Sequence, residues 1–477
     1  MDVLVKAVDY ALELGASYAE ARYHELMSSA IAVRNDQLLG ISKGVSRGIG
    51  VRVMYKGVLS FASTNDTSWE GVKSAVEKAV ASARALSEVL AKQPVDRLAP
   101  ARIGRARYSV VVAKPFDSRA LDEKATALKE LYRAASQATR DCKLAAFALE
   151  YVEEVERKIV VNSDGGFVES EVPRVYAMLN IVLVHPQRGT IQRLMELGGS
   201  GGLEVADSWG LSDRVSEEVR ALDNVLSKGV EPPKEPVPVV LGSEVVGLIV
   251  HESCGHPMEG DRVWGREAAQ AGESFVKKMR VGDVIGNEHA TVVDDPTIPK
   301  SFGFYLYDDE CVAARPRYLY LNGKINEFLH NRWSAAIYGV ESNGAARARN
   351  FGSEPIPRMS NTYLAPGDHS FEELLEGIKL GLYVKNYMEW NIDDERWGQR
   401  YVGLEAYVIR NGELAEPVLN PVLEFTTRSF YSLIEAKGRE LRFYAAFCGK
   451  GEPPQGIPVW MGGPDVRLKK MVVGVTR

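Results

Sequence analysis

Pro232, Pro233, Pro236 and Pro238 crowd into the stretch KGVEPPKEPVPVV, and this cluster constrains the fold more than any other feature. Each proline fixes φ and lacks a backbone donor, so prolines at this density favour extended chain and end whatever helix precedes them. The stretch reads as a linker or a stiff domain entry, and it cuts the chain near residue 228. A chain of 477 residues is also too long for one compact core. The expected organisation is two domains, 1–228 and 229–477.

The first half opens on MDVLVKAVDYALELGAS, where Lys6, Asp9 and Glu13 interrupt an apolar stripe. That pattern predicts an amphipathic helix over Val3 to Leu14, closed by Gly15, and neither a signal peptide nor a membrane span. WEGVKSAVEKAVASARAL and the segment from Leu121 to Ala138 carry apolar residues at three- and four-residue steps, which predicts two more helices. Lys56-Gly57 reads as a hairpin turn, and Asn162 to Gly166 as a second reversal between strands. The second half holds two Asn-Gly pairs, in RYLYLNGKINEF and AYVIRNGELAEPV, each flanked by strand-like runs. Asn-Gly is a strong hairpin signal because both residues tolerate positive φ. The expected class is α+β: an N-terminal mixed domain with long helices, then a domain rich in antiparallel sheet.

Composition excludes several classes of function. With 58 Lys and Arg against 64 Asp and Glu, the net charge is −6, and no basic stripe favours nucleic acid. No segment approaches the roughly twenty apolar residues that a spanning helix needs. Four cysteines, Cys142, Cys254, Cys311 and Cys448, are scattered without a CxxC pair, which points to a reduced, cytoplasmic setting.

The chemistry concentrates in HESCGH, residues 251–256, where two of the seven histidines stand beside Glu252. The motif ends the run VVLGSEVVGLIVHESCGHP. A strand stops at Gly242, Ser243 can cap a helix, and Pro257 marks its end. On a regular helix residues five apart point about 140° away from each other, so His251 and His256 share a metal only if the helix widens into a π-turn or unwinds. Gly255, free in its backbone angles, sits where that distortion is needed. Two imidazoles suit zinc, a catalytic zinc keeps a third protein ligand plus water, and Glu252 would serve as general base. The third ligand stays open at this point: Cys254, Cys311, Cys448, His289, His330, His369 and several carboxylates are candidates. Cys448 lies in FCGKGEPPQGIPVWMGGP, read as a glycine- and proline-rich loop, with Lys450 near enough in sequence to favour the thiolate. Cys254 shares a helix face with His251 and is a rival. His24 and His185 have no partner nearby in sequence.

With this motif, the following Glu259-Gly260-Asp261, Val293-Asp294-Asp295, Asp308-Asp309-Glu310, PRMSNTY at 357–363 and CGK at 448–450, the chain resembles the TldD/PmbA family, in its TldD branch. GASYAEARYHE and RGIGVRVMYKG resemble that family's first domain, so the likeness covers nearly the whole chain. The resemblance implies a zinc metalloprotease subunit acting on unfolded or extended peptides. It implies one Zn2+ per chain held by His251, His256 and Cys448, with Glu252 catalytic on a zinc-bound water. It also implies a dimer, with a TldE/PmbA-like paralogue or with a second copy. Cys254 departs from the family pattern and leaves the sulfur ligand open between two residues. Arg358, Asn361 and Tyr363 are the candidates for substrate contacts.

Two rival readings remain. A peptide-binding or regulatory subunit with a structural metal would need four ligands and no adjacent base. A serine hydrolase would use Gly198-Gly199-Ser200-Gly201-Gly202, but that pattern needs a strand before it and a helix after it, and the surrounding glycines read as a loop.

Overall fold

The computed structural model describes residues 2–89, 94–267, 272–451 and 454–475. Its first half is built on one seven-stranded sheet. The strands are β1 (Tyr18–Arg34), β2 (Gln37–Tyr55), β3 (Val58–Thr64), β4 (Arg105–Ser109), β5 (Lys143–Asn162), β6 (Phe167–His185) and β7 (Gly189–Ser200), in the order β3-β2-β1-β5-β6-β4 with β7 also on β6. The helices are α1 (Asp2–Glu13), α2 (Trp69–Val89), α3 (Leu121–Ala138), the short α4 (Leu203–Asp207) and α5 (Leu211–Lys228). The apolar stripes of α1 and α2 bury Leu4, Val8, Val72, Val76 and Val80 against Ile49, Val51 and Val53. α3 and α5 close a second core over Phe147, Leu179, Ile181 and Leu183. The three expected helices, α1, α2 and α3, thus follow the periodicity of their apolar residues. Both expected reversals form: Lys56 and Gly57 take φ of 47° and 78°, and Asn162 caps its turn by accepting from Asp164 and Gly166 backbone N–H groups at 3.1 and 2.9 Å.

β2 ends in an unusual way. From Gln37 to Arg47 it pairs with β1 alone, because β3 reaches only Ile49 to Tyr55. Leu38, Leu39, Ile41 and Val45 are exposed along that outer stretch.

The second half is α+β with antiparallel pairing dominant. Asn322-Gly323 and Asn411-Gly412 form hairpin turns with positive φ at all four residues. β8 (Val237–Leu241) is central to a six-stranded sheet, parallel to Leu380–Val384 and antiparallel to Val466–Met471. A second six-stranded sheet ends in the hairpin of Arg442–Lys450 and Gln455–Gly463. Cys448 is therefore a strand residue, paired with Ile457, and the glycines and prolines expected to make a loop lie along a hairpin instead. Glu452 and Pro453, at its turn, lie outside the described residues. The segment 198–202, expected as a loop, is likewise regular: Gly198 to Ser200 finish β7 and α4 follows.

Between the sheets runs α6 (Ser243–Val250), all eight residues of it buried. A helix apolar on every face has to be enclosed, and its polar first turn is satisfied by other elements. Ser243 is the first helical residue and not the cap: its N–H donates to Asp465 Oδ1 at 2.7 Å. Glu244 pairs with both terminal nitrogens of Arg193 from β7, at 2.6 and 2.8 Å. Gly247 lets α6 lie flat on the hairpin, since a Cβ there would stand 3.0 Å from Gly462 N. This packing brings Cys448, distant in sequence, to the end of α6.

Candidate metal centre

At His251 the helix changes pitch. Residues His251–Gly255 form a π-turn in which His256 N–H donates to the His251 carbonyl, five residues back. An i→i+5 bond sets its two residues one above the other, which a regular helix would not do. The two imidazole rings stand with centroids 5.0 Å apart and planes at 85°. Gly255 has ordinary helical angles, φ −52° and ψ −64°, so its backbone freedom is not what the turn uses. Space is: a Cβ on Gly255 would stand 1.9 Å from Met359 Sδ.

The structure brings His251, His256 and Cys448 together with one donor atom from each within 4.8 Å of the others, all buried. His256 Nε2 lies 3.2 Å from Cys448 Sγ. On the other side of that ring, Nδ1–H donates to Glu259 Oε2 at 3.3 Å, which leaves the Nε2 lone pair facing the sulfur. Burial pushes the His256 pKa well below its ordinary value and keeps the ring neutral, despite the Cys448 sulfur beside it. Burial also pushes His251 down, but there the charge and hydrogen bond of Cys448 win and the net shift is upward. Burial raises the Cys448 thiol, yet His256, His251 and Arg358 together hold it well below the usual thiol range. A thiolate and two imidazoles are a zinc-type donor set.

The cation that faces the sulfur is Arg358, not Lys450. Arg358 Nη2 donates to Cys448 Sγ at 3.2 Å and to its carbonyl at 2.6 Å. Lys450 Nζ points to Asp261 Oδ1 at 2.7 Å and Glu259 at 3.3 Å. Glu259, fully buried, is where these groups meet. Burial raises its pKa, but Lys450, Arg262, Arg358 and Arg396 outweigh that and hold it below the usual carboxylate range. Residues expected to meet a substrate are thus engaged elsewhere. Arg358 is enclosed and supports Cys448. Asn361 is fully buried, its Nδ2 donating to Asp295 O and Ser301 Oγ at 2.7 and 2.9 Å. Tyr363, half-buried, packs edge-on against Phe443.

The other candidate ligands fall away from the cluster. Cys254 turns into the apolar core, where burial raises its thiol well above the ordinary value beside Tyr320. Cys311 is buried, with Sγ 3.6 Å from Val160 O. His330 bonds Ser334 Oγ, and His369 pairs with Asp368 Oδ1 at 2.9 Å; His24, never among the candidate ligands, has a partner after all in Glu156 at 3.0 Å. Ser200 is buried and its hydroxyl has no partner among the described residues, so the serine motif has its strand and helix but no base.

Glu252 is buried beside His251, and its Oε2 forms a close ion pair with Arg396 Nη1. Sequence alone does not single out Arg396. In DDERWGQR nothing separates it from an ordinary surface charge. The only signal is Asp393, whose carboxylate accepts from the N–H groups of Trp397 and Gly398 and so builds a turn.

The donor set defines a candidate metal centre, and comparison with known proteins gives it a family. Residues 234–475 match the PmbA/TldA metallopeptidase C-terminal domain, residues 19–83 match domain 1 and residues 114–223 match the central domain. A metalloprotease of Methanocaldococcus jannaschii is 30% identical, over 97% of this chain and 98% of its own. A zinc metalloprotease TldD homolog of Saccharolobus solfataricus is 26% identical, over 99% of each. The chain belongs to the PmbA/TldD metallopeptidase family. Among solved structures, TldE from Thermococcus kodakarensis shares the fold with a TM-score of 0.75 at 19% identity, covering 99% of this chain and 100% of that one. A putative modulator of a DNA gyrase from Thermotoga maritima does so with a TM-score of 0.77 at 18% identity, covering 99% of each.

Proposed function

We propose that this chain is a zinc-dependent peptidase that hydrolyses unfolded or extended peptides, with His251, His256 and Cys448 as ligands of one zinc ion and Glu252 as general base. The observation that carries the reading is the buried His, His, Cys cluster with a carboxylate on the adjoining residue of the same turn. The fit to zinc rests on donor chemistry: a depressed thiol, a neutral His256 and an orphaned, buried His251 Nδ1. Zinc bound there would supply Lewis-acid activation of a peptide carbonyl and of water. Glu252 takes a proton from the attacking water on its carboxylate and passes it to the leaving amine. Glu259 fixes the ring of His256, and Arg358 holds the sulfur as thiolate.

The alternative, a regulatory subunit with a structural metal, is disfavoured because the cluster has three donors and not four among the described residues. The dimer reading, with a TldE/PmbA-like paralogue or a second copy, is supported by the bare outer edge of β2, since a long apolar edge strand invites pairing. A cytoplasmic setting accords with four free cysteines. No helix among the described residues is long and apolar enough to cross a membrane. Domains at 1–228 and 229–477 accord with the separate sheets of the two halves.

The test is Glu252→Ala. The variant should keep its zinc and lose cleavage of an unfolded, carboxymethylated protein. Normal zinc content with undiminished cleavage would show that Glu252 is not the base.

A further inference from the structure

Arg396 occupies the turn between the strands Tyr387–Ile392 and Gly398–Gly403, with φ at 62°, the left-handed region that few non-glycine residues adopt. The turn is built to hold that conformation. Arg396 N–H donates to the Asp393 carbonyl at 3.0 Å, and its own carbonyl accepts from Thr427 Oγ1 at 2.8 Å. Asp393 takes the N–H groups of Trp397 and Gly398 at 2.8 and 2.6 Å. Phe275 N–H donates to the Glu395 carbonyl at 2.9 Å, and the Phe275 and Trp397 rings pack with centroids 5.2 Å apart. Two elements remote from the π-turn thus lock one strained residue, and strain of this kind gathers at functional sites.

What the scaffold delivers is a guanidinium over Glu252. Nη1 pairs with Glu252 Oε2 on the residue next to His251. If Arg396 only neutralised Glu252, the rest of its fork would have no task. Yet Nε is buried with no acceptor among the described residues, and a buried donor left unpaired is costly unless something arrives to use it.

We propose that Arg396 is the oxyanion donor of this centre, holding Glu252 through Nη1 while its unpaired Nε–H receives the carbonyl oxygen of the scissile peptide bond. The inference rests on the peptidase reading above. As water oxygen bonds to the carbonyl carbon, one water proton moves to Glu252 and the carbonyl π pair moves onto oxygen, where Arg396 meets it. When the pair returns, the C–N bond breaks, and the amine leaves with the proton from Glu252. The second water proton stays with the new carboxyl group. A planar fork fixes the angle between its two acceptors, while lysine offers one compact ammonium in place of the spread fork, so lysine should substitute poorly for it.

The experiment compares wild type, Arg396→Ala and Arg396→Lys, each analysed for zinc, for kcat and KM on an unfolded peptide, and for affinity towards a phosphinic peptide that mimics the tetrahedral state. A further Glu252→Gln pair, with and without Arg396→Ala, reports affinity for the uncleaved peptide. Zinc content should not change. Both Arg396 variants should lose roughly 10²–10³-fold in kcat, the phosphinic peptide should weaken by a similar factor, and uncleaved peptide should bind almost as before. Added guanidinium should restore part of the activity of Arg396→Ala. Equal loss for phosphinic and uncleaved peptide, or full activity in Arg396→Ala, would overturn the proposal while leaving the peptidase reading intact. Zinc-loaded wild type that cleaves no unfolded peptide would sink that reading, and the proposal with it.

Discussion

Replacing Glu259 by glutamine keeps shape and removes one charge, at a point where the structure predicts a large response. Glu259 touches three cations: Arg262 at 3.2 Å, Lys450 at 3.3 Å and Arg358 at 3.4 Å. Asp261 and Glu267 are the other carboxylates, on Lys450 at 2.7 Å and Arg262 at 2.9 Å. With the Cys448 thiolate on Arg358, these three cations are fully compensated, and the substitution takes from Arg262, Lys450 and Arg358 the one carboxylate they share in a buried place. Breaking a buried, compensated charge cluster costs about 3–5 kcal/mol. The loss should appear as a lower urea midpoint in zinc-free protein, with the slope unchanged. The same change replaces the carboxylate that orients His256 with a neutral amide, a weaker acceptor, so zinc affinity should fall roughly 10–100-fold in a competition titration with a chromophoric chelator. The sign with pH is fixed too. Because the folded carboxyl is held below its unfolded value, its contribution is present above the unfolded pKa and lost as pH falls through the folded one. Wild type and Glu259→Gln should therefore converge in stability in acid. A variant with wild-type midpoint and wild-type zinc affinity would refute the claim that this charge cluster supports the centre.

Other perturbations are sharper in one direction. Burial lowers His330 to about 4, so the unfolded chain takes up its proton first as pH falls from about 6.5. Wild type should lose up to about 3 kcal/mol relative to His330→Asn between pH 6.5 and 4, measured by urea titration at each pH; parallel curves would contradict this. Gly255→Ala pushes a methyl into Met359 and should cost about 1–3 kcal/mol, with much of it recovered in Gly255→Ala/Met359→Ala. Strict additivity of the two changes would deny the contact. Leu39→Glu with Val45→Glu charges the bare edge of β2 and, on the proposed dimer reading, should make the protein sediment as a monomer with its fold intact; a variant that still sediments as a dimer would refute this edge as the interface.

Much of this architecture is legible in residue patterns because local physics decides it. Leu121 to Ala138 carries its own periodicity, and Asn322-Gly323 and Asn411-Gly412 carry their own turn chemistry. The five-residue gap in HESCGH also had a geometric consequence that could be worked out beforehand, namely an opened helix. Features set by tertiary packing were not legible. The first turn of α6 is satisfied by Asp465 and Arg193, which no local pattern announces, so Ser243 looked like its cap. Cys448 looked like a loop residue because glycine and proline composition hides a strand whose partner lies across a turn. Lys450 is two residues from the sulfur and on the same face of the strand, but Asp261 draws its ammonium away, while Arg358 arrives from another element. Arg396 depends on a left-handed backbone locked by residues far along the chain. Such a constraint exists only once the fold is closed.

The central claim concerns which sulfur completes the cluster, and zinc stoichiometry measures it directly. Purified wild type, Cys448→Ser and Cys254→Ser are analysed for bound metal by mass spectrometry after exhaustive dialysis, with circular dichroism on each to verify folding. Cys448 Sγ lies 3.2 Å from His256 Nε2, whereas Cys254 is buried in the apolar core. One zinc per chain in wild type and Cys254→Ser, and loss in Cys448→Ser alone, is the predicted result. A full complement in Cys448→Ser with loss in Cys254→Ser would contradict the account.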